Sequence, residues 1–92
     1  MIGLLTLELH IPSAQSLKDK RHVVKSIIGR IRARHNVSVA ELEQQDIWQQ
    51  AVVGVAIVSS AKTVVDQTFS AIVRLTESHG EAELVRVSIE LL

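Results

Sequence analysis

Two periodicities alternate along these 92 residues, and their order limits the fold more than any single motif does. Residues 2–11 set Leu5, Leu7, Leu9 and Ile11 against Leu4, Thr6, Glu8 and His10, the period-two spacing of a half-buried strand, which Pro12 ends. Residues 16–35 switch to helical spacing. There Leu17, Val24, Ile27, Ile28 and Ile31 converge on one side with Val23 at its edge, as a core-facing helix requires. Residues 36–43 alternate again, and residues 51–59 are a nearly continuous apolar run rich in β-branched side chains. These spacings predict an edge strand and a central strand. Helical spacing returns from a cap at Ser59 or Ser60 to about Ser78, with Val64, Val65, Thr68, Phe69, Ile72, Leu75 and Thr76 inward. Gly80 is placed to end that helix at a positive φ, and residues 83–91 alternate once more, Val85, Val87, Ile89 and Leu91 against Leu84, Arg86, Ser88 and Glu90.

The predicted order is β-α-β-β-α-β. Each helix joins two parallel strands with another strand inserted between them, and right-handed crossovers bring both helices to one face of the sheet. The expected fold class is therefore α+β: a ferredoxin-like sandwich with a four-stranded antiparallel sheet in the order 4-1-3-2, spanning residues 1–92 as one domain. Residues 44–50, which include Trp48, are expected to close a hairpin whose turn type no Asn-Gly or Asp-Gly pair specifies. Such a fold hosts many unrelated activities, so function has to be sought in particular residues.

Charge is where the chain is most uneven. Net charge is zero, yet residues 16–35 hold seven of the ten Lys and Arg residues and one acid, Asp19. Ser16 and Asp19 stand three apart at the start of this helix, where they can cap it, and Arg30, Arg32, Arg34 and His35 complement its negative end, with Asn36 available as the C-cap. Lys18, Arg21, Lys25 and Arg32 fall on one flank beside the apolar face. The candidate contacts to nucleic-acid phosphates are Lys18, Lys20, Arg21, Lys25, Arg30, Arg32 and Arg34. A solvated face that only aids solubility is the competing account.

Other chemistries find less support. Base stacking on the central strands of this fold needs aromatic side chains there, and the only aromatic residues are Phe69, on a helix, and Trp48. No Gly-x-x-Gly loop, phosphate-binding loop or nucleophile elbow occurs, and cysteine is absent, so neither disulfides nor thiolate ligands are available. The four histidines lack the helical spacing of a zinc motif, and Glu8 beside Arg86 is most simply a cross-strand ion pair. No catalytic residue, metal or cofactor is expected, and the chain is read as a non-enzyme. His10 and Trp48 are kept as possible partner contacts, although Trp48 is expected to fold back over the end of the core. A strip on strand 3, either Val52, Gly54, Ala56 and Val58 or Val53, Val55 and Ile57, should lie on the open face of the sheet, where a second copy could cover it. No apolar run approaches the length of a membrane span and no export signal is read in the first residues. A cytoplasmic, membrane-free location is expected.

Several blocks in order carry a family resemblance. Leu9-His10-Ile11-Pro12, then Ser16-Leu17-Lys18-Asp19-Lys20-Arg21, then Asn36-Val37-Ser38-Val39-Ala40-Glu41, then Asp46-Ile47-Trp48-Gln49 and Ala51-Val52-Val53-Gly54-Val55-Ala56 resemble the small bacterial YlxP-like family, a domain-of-unknown-function family, over essentially the whole chain. The resemblance implies a ferredoxin-like fold, a cytoplasmic location and no established catalytic residue. It also implies genes often neighbouring those of transcription termination, translation initiation and ribosome maturation, and hence an RNA-binding or ribosome-associated factor. The family's basic block falls on residues 16–21 of this chain. The alternative function is a protein-interaction or homodimerisation module that uses the open face of the sheet.

Overall fold

A computed structural model describes residues 1–42 and 47–92. Six elements follow in the expected order: β1 (Ile2–His10), α1 (Leu17–Arg34), β2 (Ser38–Glu41), β3 (Gln50–Val58), α2 (Lys62–Glu77) and β4 (Glu83–Leu91). The strands form one antiparallel sheet ordered β2-β3-β1-β4, which is the predicted 4-1-3-2 read from the other edge. Leu5, Leu7 and Leu9 of β1 and Val53, Val55 and Ile57 of β3 bury one face of the sheet against Val23, Val24, Ile27 and Ile31 of α1 and Val65, Phe69 and Ile72 of α2.

The helix ends show which local signals decide a boundary. Asp19 N–H donates to Ser16 Oγ at 3.1 Å, the first half of a capping box, while the Asp19 carboxylate reaches one residue further back and accepts the Gln15 N–H at 3.0 Å instead of that of Ser16. At the other end the cap is His35 rather than Asn36, because the backbone turns extended there while the His35 N–H still bonds Ile31 O. The N-cap of α2 is Ala61, one residue past Ser60. Ser59 Oγ accepts the Ala61 N–H at 3.1 Å, a local turn that spends the hydroxyl before the helix starts and leaves Ala61 as the N-cap. Ser78 ends α2 in right-handed geometry, and Gly80 has no positive φ, so the turn after α2 does not draw on glycine's conformational freedom. The connection proposed for residues 44–50 falls partly on residues 43–46, outside the described residues. β2 and β3 nonetheless pair antiparallel, Ser38 with Ala56 through Glu41 with Val53.

The structure decides which face of β3 is open. Val52, Gly54, Ala56 and Val58 lie on the side away from the helices, but the strip is not bare. Leu42 crosses onto it so closely that a Cβ on Gly54 would stand 2.6 Å from Leu42 Cδ1, and Val52 and Gly54 are buried. β4 departs from expectation in the opposite sense. A bulge opposite Glu8 and Leu9 places Leu84 against Leu9, and Val85, Val87, Ile89 and Leu91 are exposed.

Gly3 marks the tightest helix–sheet contact. A Cβ there would lie 2.8 Å from Val65 Cγ1 and 3.0 Å from the Phe69 ring, and both neighbours are fully buried and cannot yield into solvent. Gly3→Ala is expected to destabilise the fold by about 1–3 kcal/mol, the usual cost of overpacking. Gly54→Ala should cost less, since half-exposed Leu42 can swing aside. Urea denaturation of the two variants side by side checks the order, and equal costs would contradict it.

Candidate nucleic-acid interface

Helix α1 carries the surface on which a polyanion could dock, and its residues separate into three environments. Lys18, Arg21 and Lys25 recur every three or four residues, and with His22 they line one shallow depression and are exposed. With Arg32 they lie within an arc of roughly 100° on the helix, spanning about 21 Å along its axis from Lys18 to Arg32. Arg32 Nη2 donates to Val39 O at 2.8 Å, which pins the end of this stripe to β2. Gly29 stands inside the stripe with open space where a Cβ would be. His22 therefore joins the four flank residues anticipated from spacing.

Lys20 does not belong to that surface. Its side chain is 0% exposed, and its Nζ lies 3.2 Å from Glu41 Oε2 on β2, so the expectation that it contacts phosphate is not met. The reason is positional: Lys20 precedes Val23, Val24 and Ile27 by three, four and seven residues, which puts it on the buried side of the helix. Nor do Arg30 and Arg34 extend the stripe. Helical geometry turns them toward the α2 side, where Arg34 and His35 share a second depression with Arg74, Leu75 and Ser78. Arg74 was not anticipated, since only tertiary packing brings the two helix ends together.

Electrostatically, the stripe is left uncompensated. Among the described residues the ion pairs are His10–Glu83, Lys20–Glu41, Lys62–Asp66 and Arg86–Glu8, and none involves Lys18, Arg21 or Lys25. Of the described acids, Asp19 accepts the Gln15 N–H and Glu41 pairs with Lys20. Mutual repulsion among exposed cations without acids costs little in water, but it sums to a local positive potential that favours an anionic partner.

Elsewhere the polar groups hold the fold together. Arg86 Nε lies 3.6 Å from Glu8 Oε2, the cross-strand pair expected, and His10 Nδ1 lies 3.3 Å from Glu83 Oε2. Both pairs are solvated and contribute little to stability. Buried His79 ties the helices: its Nδ1 accepts the Glu81 N–H, leaving Nε2 to donate to Ser26 Oγ at 3.3 Å. Trp48 does not fold over the core. It is 52% exposed and borders an open depression with His10, Ile47, Gln49 and Gln50, while Gln49 Nε2 bonds the Pro12 and Ala14 carbonyls. It is Gln49 that fastens this loop to the β1–α1 connection. Among the described residues no group of three or more His, Cys, Asp or Glu side chains is arranged to hold a metal ion, and no helix is long and apolar enough to cross a membrane.

Comparison with known proteins bears on family and fold. Residues 2–89 match the model of a family described as "Protein of unknown function (DUF503)". The chain is 37% identical over 83 residues to the uncharacterized protein YlxP of Bacillus subtilis (strain 168), covering 90% of each. Two designed proteins share its backbone: Foldit4, with TM-score 0.60 and 16% identity over 100% of this chain and 99% of that one, and LFR1 1, described as having a ferredoxin fold, with TM-score 0.63 and 10% identity over 100% and 87%. At such identities they speak for the fold alone.

Proposed function

The chain belongs to the DUF503 family of proteins of unknown function, and we propose that it is a non-enzymatic cytoplasmic module that docks on structured RNA, ribosomal RNA foremost. The stripe Lys18, Arg21, Lys25 and Arg32 meets successive phosphates, with His22 beside them. The observation that carries this reading is the stripe itself: cations repeated on one helix face, exposed, with no ion pair to Lys18, Arg21 or Lys25 among the described residues. Recognition runs through the charged backbone and its shape, because the open faces of β1 and β3 present Thr6, Glu8, His10 and Val58 rather than rings on which bases could stack. Arg34 and Arg74 form a separate surface, Arg30 lies off the stripe, and Lys20 contributes only to the fold.

Co-sedimentation with isolated small ribosomal subunits across a salt series tests this. Neutralising four phosphates gives a slope of about −3 in log K against log salt, at roughly −0.7 to −0.9 per contact. A flat salt dependence, or no binding at low salt, rejects the reading.

A further inference from the structure

The two edges of the sheet are treated differently. On β2, the Leu42 N–H bonds Val52 O at 2.7 Å, so the ladder's alternation turns the backbone of Val39 and Glu41 outward. Arg32 donates to that outward Val39 carbonyl, and the strand runs only from Ser38 to Glu41. A short edge occupied by a side chain is closed to further pairing. On β4, which spans nine residues, the Leu92 N–H bonds Ile2 O at 2.8 Å. By the same alternation Val87, Ile89 and Leu91 turn their backbone N–H and C=O groups outward, and among the described residues no hydrogen bond reaches them. Their side chains oppose Leu7, Leu5 and Gly3 on the helix side of the sheet, yet they are 38%, 55% and 45% exposed.

We propose that β4 pairs antiparallel with β4 of a second copy of this chain, joining the two sheets into one of eight strands. Charge selects the register. A two-fold axis at Ser88 sets Arg86 opposite Glu90 of the second copy, twice by symmetry, and sets Val87 opposite its Ile89. An axis at Arg86 or at Glu90 would oppose like charges, and one at Val87 would face Arg86 with Ser88 and lose both ion pairs. In the Ser88 register all four helices lie on the same side, the exposed rows of Val87 and Ile89 cover each other, and the α1 stripes remain free at the far ends. This interface does not depend on the RNA reading and stands or falls separately.

Sedimentation equilibrium over a concentration series, with circular dichroism as the check on folding, tests the proposal on the full chain. The wild-type chain is expected to reach twice the monomer mass, and Ile89→Lys, at a site already exposed, to halve it. Arg86→Glu and Glu90→Arg should each be monomeric, because each opposes like charges across the axis. Mixed together they should form a heterodimer, in which every such pair is opposite in sign. The regained dimer also establishes that both variants fold. A wild-type chain that stays monomeric overturns the proposal in favour of a strand from another protein. A dimer that survives Ile89→Lys, or a mixture that stays monomeric, overturns the interface or its register.

Discussion

Replacing Arg21 and Lys25 together by glutamate is expected to weaken binding to small ribosomal subunits by about 100-fold or more near 0.1 M salt, with the fold intact. Two exposed charges within about 4 Å interact by about 1 kcal/mol in water and about 4 kcal/mol at the effective dielectric of a protein surface. Each reversal removes one attraction to phosphate and adds one repulsion, so two of them exceed the roughly 2.7 kcal/mol that a 100-fold change represents. Stability should hardly move, because both side chains are exposed and neither has an ion pair among the described residues. The matched control is Arg34→Glu with Arg74→Glu, the same change in charge on the other depression. Affinity there should fall by no more than about tenfold, through long-range attraction that salt screens. Equal losses in the two double variants would mean that net charge alone governs binding, and the stripe would lose its assigned role.

The second large effect concerns stability. Glu41→Ala is expected to cost about 3–5 kcal/mol, as removing one partner from a buried ion pair commonly does. Lys20 is 0% exposed and its ammonium sits against the Glu41 carboxylate, so truncation takes an opposite charge away from a buried cation. Lys20→Met should cost less. Methionine is apolar and of similar length, and Glu41, whose side chain is 19% exposed, can turn toward water. Urea denaturation of both variants measures the asymmetry. A Glu41→Ala protein as stable as the wild type, or a costlier Lys20→Met, would show that the pair does not hold α1 to β2 in this way.

Lys20 also shows how much of the site was legible. The spacing that gathered Lys18, Arg21, Lys25 and Arg32 on one flank places Lys20 among Val23, Val24 and Ile27, so its burial was within reach of the same argument. What spacing could not supply was Glu41, 21 positions later on another element, which makes a buried lysine tolerable. For Trp48 the sequence offered only its type, and type does not distinguish a residue that closes a core from one left at its rim.

The order of elements, the Ser16 cap on Asp19 N–H and the cationic flank were determined by the sequence alone, because each depends on side chains a few residues apart whose geometry the backbone period sets. Tertiary structure decided the rest. β3 is apolar on both sides, so nothing local says which side meets the helices; the answer lies in Leu42 crossing over Gly54 and in Val53, Val55 and Ile57 meeting the helices. β4 alternates as a half-buried strand should, yet its apolar row is exposed, because alternation fixes only which side chains share a face and not what the other layer sets against them. Local periodicity states what each segment could bury, but only the assembled layers determine what is left for them to bury it against.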